Sequence, residues 1–307
     1  MGKKAKKNRD DEEVYVYDCM RVGEKMAALY RRKRREPYIV ATVIVLITAL
    51  LIYGNCSLQT TVYEIPLPVE YAELNGFTIV QISDLHNARF GKEQSRLLQR
   101  IEEQQPDMIV VTGDLVDSNH TNAEVAMDFI KGATEIAPVY YVTGNHEGWL
   151  GDSYTVLEQE MEAAGVMVLN NAIVQEEYNN TTITIAGVTD PDMPGNNIVK
   201  TKTAIADLMK DAEGYTVLLS HRPELYDTYV KSDTDLVFSG HYHGGQFRIP
   251  FIGGVIAPGV GFFPEYAEGT FEQEGTTMVV SRGLGNSVIP LRINNRPEIV
   301  VVKLTAE

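Results

Sequence analysis

Five apolar, β-type runs in this chain each end in a residue able to hold a metal ion, and that repetition limits the fold more than any other feature. FTIVQIS (77–83) ends in Asp84-Leu85-His86 and MIVVT (108–112) in Gly113-Asp114. PVYYVT (138–143) ends in Gly144-Asn145-His146-Glu147, YTVLLS (215–220) in His221, and DLVFS (235–239) in Gly240-His241-Tyr242-His243. Open α/β sheets collect ligands outside the carboxyl ends of their strands, so these ends can converge on one crevice. Five of the six histidines occupy these positions. His120 is left over in a polar loop and is expected to face solvent.

Stretches of helical spacing separate the runs. Leu97, Leu98 and Ile101 mark a helix within 93–105. Thr121 to Glu124 reads as a capping box, opening a helix with Ala126, Phe129, Ile130 and Ala133 on one face. Ser153 reads as the cap of a helix with Val156, Leu157, Glu160, Met161 and Ala164 on one side, and residues 203–211 read as helical. Further strands are expected at 166–169, 172–177, 181–188, 276–281 and 298–304, with Asn179-Asn180 as a turn. That is more strand than a simple alternating β/α fold needs. Two packed sheets with helices outside fit the surplus, with residues 59–307 as one domain.

A different solvent is implied at the N-terminal end. Residues 38–53, YIVATVIVLITALLIY, carry no charge and have a Tyr at each end. As a helix they extend roughly 24 Å, a little short of a roughly 30 Å hydrocarbon core, and Leu58 and the snorkelling arginines before the run can extend the span. Arg31-Arg32-Lys33-Arg34-Arg35 lies directly upstream. The positive-inside rule then keeps residues 1–36 as a basic cytoplasmic tail, makes 37–58 a signal-anchor and puts 59–307 outside the membrane. Cys19 and Cys56 fall on opposite sides and are not expected to pair.

Charge is unevenly placed. Residues 1–36 hold 12 Lys and Arg against 7 Asp and Glu, a net of +5; residues 37–307 hold 15 against 35, a net of −20. So acidic a body argues against general nucleic-acid binding, which wants clustered cations on phosphate backbones. With two cysteines the chain has no disulfide framework and no cysteine-rich zinc module. Carboxylates, an amide and imidazoles suit ions such as Mn, Fe or Zn.

The ordered pattern D-x-H, G-D, G-N-H-E, H and G-H-x-H resembles the calcineurin-like metallophosphoesterase superfamily over roughly residues 76–246. The strings ISDLHN, TGDLVDSN, TGNHE, LLSHRPE, SGHYHGGQF and SRGLGNS are similar to a bacterial branch of membrane-anchored or exported phosphoesterases, some of them phosphodiesterases. The resemblance implies a four-layer α/β/β/α sandwich: two mixed sheets flanked by helices, preceded here by one transmembrane helix. It implies two divalent metal ions, with Asp84, His86 and His243 on the first, Asp114 bridging, and Asn145, His221 and His241 on the second. His146 is implied to reach the phosphate, where it stabilises the transition state or protonates the leaving oxygen.

The expected chemistry is hydrolysis of phosphodiester or pyrophosphate bonds by a metal-activated hydroxide, on cell-envelope, nucleotide-linked or lipid-linked material. A phosphomonoesterase and a metal-stabilised binding or signalling module are the alternatives. Arg89 is a candidate for substrate phosphate, with a surface role as its rival, and Glu147 a candidate for orienting His146. Arg222-Pro223-Glu224 reads as a helix start, Arg282 and Asn286 as residues of a polar loop beside the cleft, and Trp149 as a pocket border or core cap. Residues 251–264, FIGGVIAPGVGFFP, form an apolar loop that either packs on its own domain or touches lipid.

Overall fold

The computed structural model describes residues 9–257, 260–286 and 289–306, with side chains from residue 21 onward except Arg34. The start of the basic tail, the Cys19 side chain and Pro258-Gly259 of the apolar loop therefore lie outside the described residues. Two compact units are present, Met1–Ile52 and Tyr53–Glu307. Helix α1, Arg9–Cys56, runs through Pro37. Its stretch Arg21–Cys56 is long and apolar enough to cross a membrane, by length and composition.

The second unit holds two six-stranded sheets. In the first, β1 (Gln59–Pro66), β2 (Thr78–Ile82), β3 (Met108–Thr112), β4 (Val139–Val142), β5 (Met167–Val168) and β12 (Glu298–Thr305) lie in the order β1-β12-β2-β3-β4-β5. Strands β2 to β5 are parallel, and β12 is antiparallel to β2. The second contains β6 (Ala172–Tyr178), β7 (Thr181–Gly187), β8 (Tyr215–Leu219), β9 (Leu236–Ser239), β10 (Gly269–Gln273) and β11 (Thr276–Val280), ordered β10-β11-β9-β8-β7-β6. Here β7, β8, β9 and β11 are parallel, and each edge strand is antiparallel to its neighbour.

Side-chain alternation along these strands builds the layers. Ile109, Val111, Val139 and Tyr141 face α2 (Ser95–Glu102), α3 (Ala123–Ile136) and, after the short α4 (Asn145–Trp149), α5 (Asp152–Ala163), packing with Leu97, Phe129, Ile130, Leu157 and Met161. Their neighbours Met108, Val110, Tyr140 and Val142 face the other way and meet Ile185, Val217, Leu219 and Phe238 between the sheets. Leu218, Val237 and Met278 cover the far side with Ile205 of α6 (Ile198–Lys210) and Tyr229 of α7 (Tyr226–Lys231). The result is the four-layer α/β/β/α sandwich.

Local starts differ from the sequence reading. The residue before α3 is Asn122, with no side-chain cap bond, so Thr121 is not its cap. Ser153 lies inside α5, whose preceding residue is Gly151; Tyr154, Leu157 and Met161 are its buried residues, while Val156 is exposed. Helix α6 starts at Ile198, earlier than expected, because the Asn197 side chain accepts N–H bonds from Val199 and Lys200.

Candidate metal centre

The carboxyl ends of β2, β3 and β4 from one sheet, and β8 and β9 from the other, meet at one place. Backbone bonds tie the first two ends together: Asp84 N–H donates to Gly113 and His86 N–H to Asp114. Gly240 N–H donates to His221 across β8 and β9. The two sheets join where Nδ1 of His221 donates to Thr112 O at 2.7 Å and His241 N–H donates to the Asp84 carboxylate at 3.2 Å. Five candidate ligands, Asp84, His86, Asp114, His241 and His243, have φ between 42° and 71°. Left-handed backbone at a residue with a Cβ costs on the order of 1–3 kcal/mol and clusters where a site over-determines it.

The sequence-predicted ligands are brought together. Asp84, His86 and His243 place donor atoms within 4.8 Å of one another, as do Asp114, His221 and His241. Nε2 of His86 lies 3.2 Å from Nε2 of His243, and the latter lies 3.4 Å from Asp84 Oδ1. Asp114 Oδ2 stands between the sets, 3.4 Å from His86 Nε2 and 3.3 Å from His221 Nε2. Asn145 Oδ1 is 3.2 Å from the same His221 nitrogen. His86, Asp114 and His146 form a third such group.

Burial drives His86 and His243 below their ordinary pKa, so their lone pairs are free at neutral pH. Burial does the same to His241, helped by the cations His221 and Arg222. His221 goes the other way. Burial opposes its charge, but Asp114, through charge and a hydrogen bond, lifts it to about 10. Burial likewise opposes the Asp114 carboxylate, yet His221 and His86 hold it well below the usual range.

The buried Glu147 carboxylate accepts the N–H groups of Asp114, Leu115 and Gly144 at 2.8–2.9 Å, so it ties the ends of β3 and β4 together beside His146. Burial and then Asp114 push it up to about 7, against those N–H bonds. Both oxygens already accept backbone donors, which suits the ionised form.

His146 is oriented by Ser118, whose N–H donates to Nδ1 at 3.1 Å, with the Ser118 hydroxyl also 3.1 Å away. Trp149 lies beside it, ring centres 4.7 Å apart, and is a half-exposed border rather than a core cap. Arg89 is half-exposed and paired with Glu124 and Asp128, and no described contact joins it to the cluster. His120 is exposed, as expected. Arg222 precedes a turn, Pro223–Leu225, and its guanidinium lies 3.0 Å from His241 Nε2 while pairing with Asp190 at 2.7 and 3.0 Å. Arg282 pairs with Glu298 at 2.7 Å, and Asn286 bonds Gln246.

Sequence reasoning missed Ser118, Asp190 and Arg292. The buried Arg292 donates to Arg282 O at 2.9 Å and to Gly285 O, and Nη2 stands 3.4 Å from His243 Nδ1. No residue spacing marks these contacts, whose partners lie 28, 32 and 49 positions apart.

Residues 77–245 match the family model described as calcineurin-like phosphoesterase. The chain is 29% identical over 252 residues to an uncharacterized metallophosphoesterase of Bacillus subtilis, YkuE, covering 80% of this chain and 85% of the relative. It is 29% identical over 317 residues to a Danio rerio transmembrane protein with metallophosphoesterase domain, covering 95% and 69%. It is 28% identical over 233 residues to the phosphodiesterase YaeI of Escherichia coli, covering 74% and 82%.

Proposed function

The chain belongs to the calcineurin-like phosphoesterase family, a metal-dependent group of phosphoester hydrolases, and on that premise we propose that it is a membrane-tethered phosphodiesterase with a two-metal centre. The observation that carries the metal count is the position of Asp114 Oδ2, within 3.4 Å of one histidine from each ligand set. Two cations a few ångströms apart need such a shared anion to offset their repulsion.

The residues present fit metal. The Nε2 atoms of His86 and His243 face each other 3.2 Å apart in rings that burial holds below their ordinary pKa, a pair that a cation would suit. His221 gives its Nδ1 proton to Thr112 O, which leaves Nε2 to face Asp114 and Asn145. Asp84, His86 and His243 would hold the first ion, Asn145, His221 and His241 the second, and Asp114 would serve both. An oxygen and imidazole donor set without thiolate suits Mn, Zn or Fe. Divalent ions there lower the pKa of water and offset the charge on a phosphoryl group.

The protein's own residues supply the rest. With Ser118 N–H on Nδ1, neutral His146 carries its proton on Nε2 and donates it as a hydrogen bond to the phosphoryl or leaving oxygen. Asp190 and Asp192 hold Arg222 against His241, fixing that ring. The relative named as a phosphodiesterase supports a diester substrate. The apolar stretch within Arg21–Cys56 and the transmembrane-named relatives support a tether with its N-terminus in the cytoplasm, placing the catalytic unit beside envelope or lipid-linked esters.

The test uses the full chain in detergent, stripped of metal and then supplied with Mn, Zn or Fe. An artificial phosphodiester and a phosphomonoester are assayed in parallel with metal content. We expect about two ions per chain, about one in Asn145→Ala, and faster cleavage of the diester. Saturation at one ion in the active protein overturns the two-metal reading, and preference for the monoester overturns the diester reading.

A further inference from the structure

The loop that the sequence left between two readings packs on its own domain through Gly254 and Ala257, which are buried, but leaves its phenylalanines outside. Phe262 and Phe263 are 73% and 62% exposed, Phe251 is fully exposed, and Ile249, Ile252 and Ile293 stand out beside them. They ride on two short ribbons, Arg248–Ile249 with Gly253–Gly254 and Ile256–Ala257 with Gly261–Phe262. A cluster of large apolar side chains of this kind is a binding surface rather than ordinary decoration.

Its attachment says what it meets. The Asn55 side chain grips Arg292 from both sides, accepting its N–H at 2.8 Å and donating to its C=O at 3.0 Å. Ile293 is the next residue, its carbonyl accepts from Arg248 N–H, and it bridges to Phe247. Val255 N–H donates to Phe247 O and Phe263 N–H to Val255 O. The phenylalanines are thus joined by a few hydrogen bonds to Asn55, two residues beyond the end of the apolar run 38–53. A bilayer crossed by that run has its surface at this level of the chain. Residues 37–307 carry a net charge of −20. Anionic headgroups repel such a body, so its hold on a lipid surface must come from apolar side chains.

We infer that this rim is a membrane-docking surface, in which Phe251, Phe262 and Phe263 enter the headgroup–acyl boundary of the leaflet that the tether leaves. The inference rests on the tethered reading above. The same ribbons spring from the metal-site loop: Val255 N–H also donates to Gly245 O, and Arg292 touches both Asn55 and His243. Docking therefore holds the His243 side of the centre at the lipid surface, where phosphoesters of lipid headgroups are presented.

The test places the full-length Phe262→Trp variant in vesicles of phosphatidylcholine and phosphatidylglycerol, with and without brominated acyl chains. Wild type reports Trp149 alone, and Val156→Trp, on exposed α5, is the control. Brominated lipid is expected to lower the added emission of Phe262→Trp about twofold and to leave that of Val156→Trp unchanged. Flotation of the same samples reads the tether separately. Flotation with unquenched Phe262→Trp overturns docking and leaves the tether standing. Failure to float overturns the tether and docking with it. A bromine-independent blue shift that grows with protein density assigns the rim to a second copy and also overturns the inference.

Discussion

The backbone N–H of Ser118 donates to Nδ1 of His146 at 3.1 Å, and this bond sets how the imidazole works. A ring nitrogen that accepts an N–H bears no proton, so the neutral ring carries it on Nε2. On the function proposed above, His146 would then serve as a donor toward phosphate rather than as a ligand. His146→Ala is expected to lower kcat on a phosphodiester about 10²–10⁴-fold, with metal content unchanged. Ser118→Ala keeps the N–H and is expected to cost about tenfold at most, the worth of one neutral hydrogen bond. Loss of a metal ion in His146→Ala would make the ring a ligand instead.

Glu147 holds two strand ends with one carboxylate. Its acceptance of the Asp114, Leu115 and Gly144 N–H groups uses both oxygens. Glu147→Gln turns an NH₂ group against backbone donors in a buried place. The variant is expected to lose about 1–3 kcal/mol of stability, and to bind metal more weakly because Asp114 is displaced. Chemical denaturation of the metal-free protein reads the first effect and metal titration the second. Unchanged values in both would remove Glu147 from the support of the site.

The candidate ligands were legible because each follows a buried parallel strand, where an unbroken apolar run gives way to a polar residue. MIVVT coincides with β3, and the ends at Asp84, Asn145, His221 and His241 follow β2, β4, β8 and β9. The edge strands β1 and β10 were not legible. They alternate partly exposed polar and apolar residues, as Gly269–Gln273 shows; β1 takes its shape from β12, far along the chain, and β10 from the hairpin it forms with β11. Helix starts were misread at Thr121 and Ser153 because capping residues are common in turns of every kind. Glu147 was seen, but not its bonds to Asp114 and Leu115, which folding brings to it from 33 and 32 positions away.

The glycines beside the candidate ligands make room for their carboxylates. Gly144 has φ −106°, so an alanine there meets no backbone penalty. Its Cβ would stand 2.2 Å from Asp114 Oδ1, and one at Gly240 would stand 2.0 Å from Ser83 Oγ and 2.4 Å from the Asp84 Oδ2 to which that hydroxyl donates. Gly144→Ala and Gly240→Ala are therefore expected to cost about 1–3 kcal/mol each by overpacking. Gly144→Ala should weaken both metals, through shared Asp114, and Gly240→Ala mainly the one bound by Asp84. Metal content measured at increasing chelator concentration separates them. Equal resistance to chelator in both variants and wild type would show that the carboxylates yield without leaving their posts.

His221 makes metal uptake a proton-releasing step. In the metal-free protein burial lowers its pKa, but Asp114, joined by Asp84 and Asp190, outweighs that and lifts it to about 10, above the ordinary 6.5. The charged ring therefore stabilises the metal-free fold fully below about pH 6.5, and that contribution is lost as pH rises through about 10. A metal ion needs the Nε2 lone pair, so at pH 8 binding must expel the proton. Adding metal to weakly buffered metal-free protein at pH 8 is expected to release about one proton per chain from this residue. The release should fade toward pH 10 and be missing in His221→Asn, whose metal-free stability should approach that of wild type over the same rise. An indicator dye reads the proton and thermal unfolding reads the stability. Full proton release from His221→Asn would assign the proton to another group and leave the ring neutral before metal arrives.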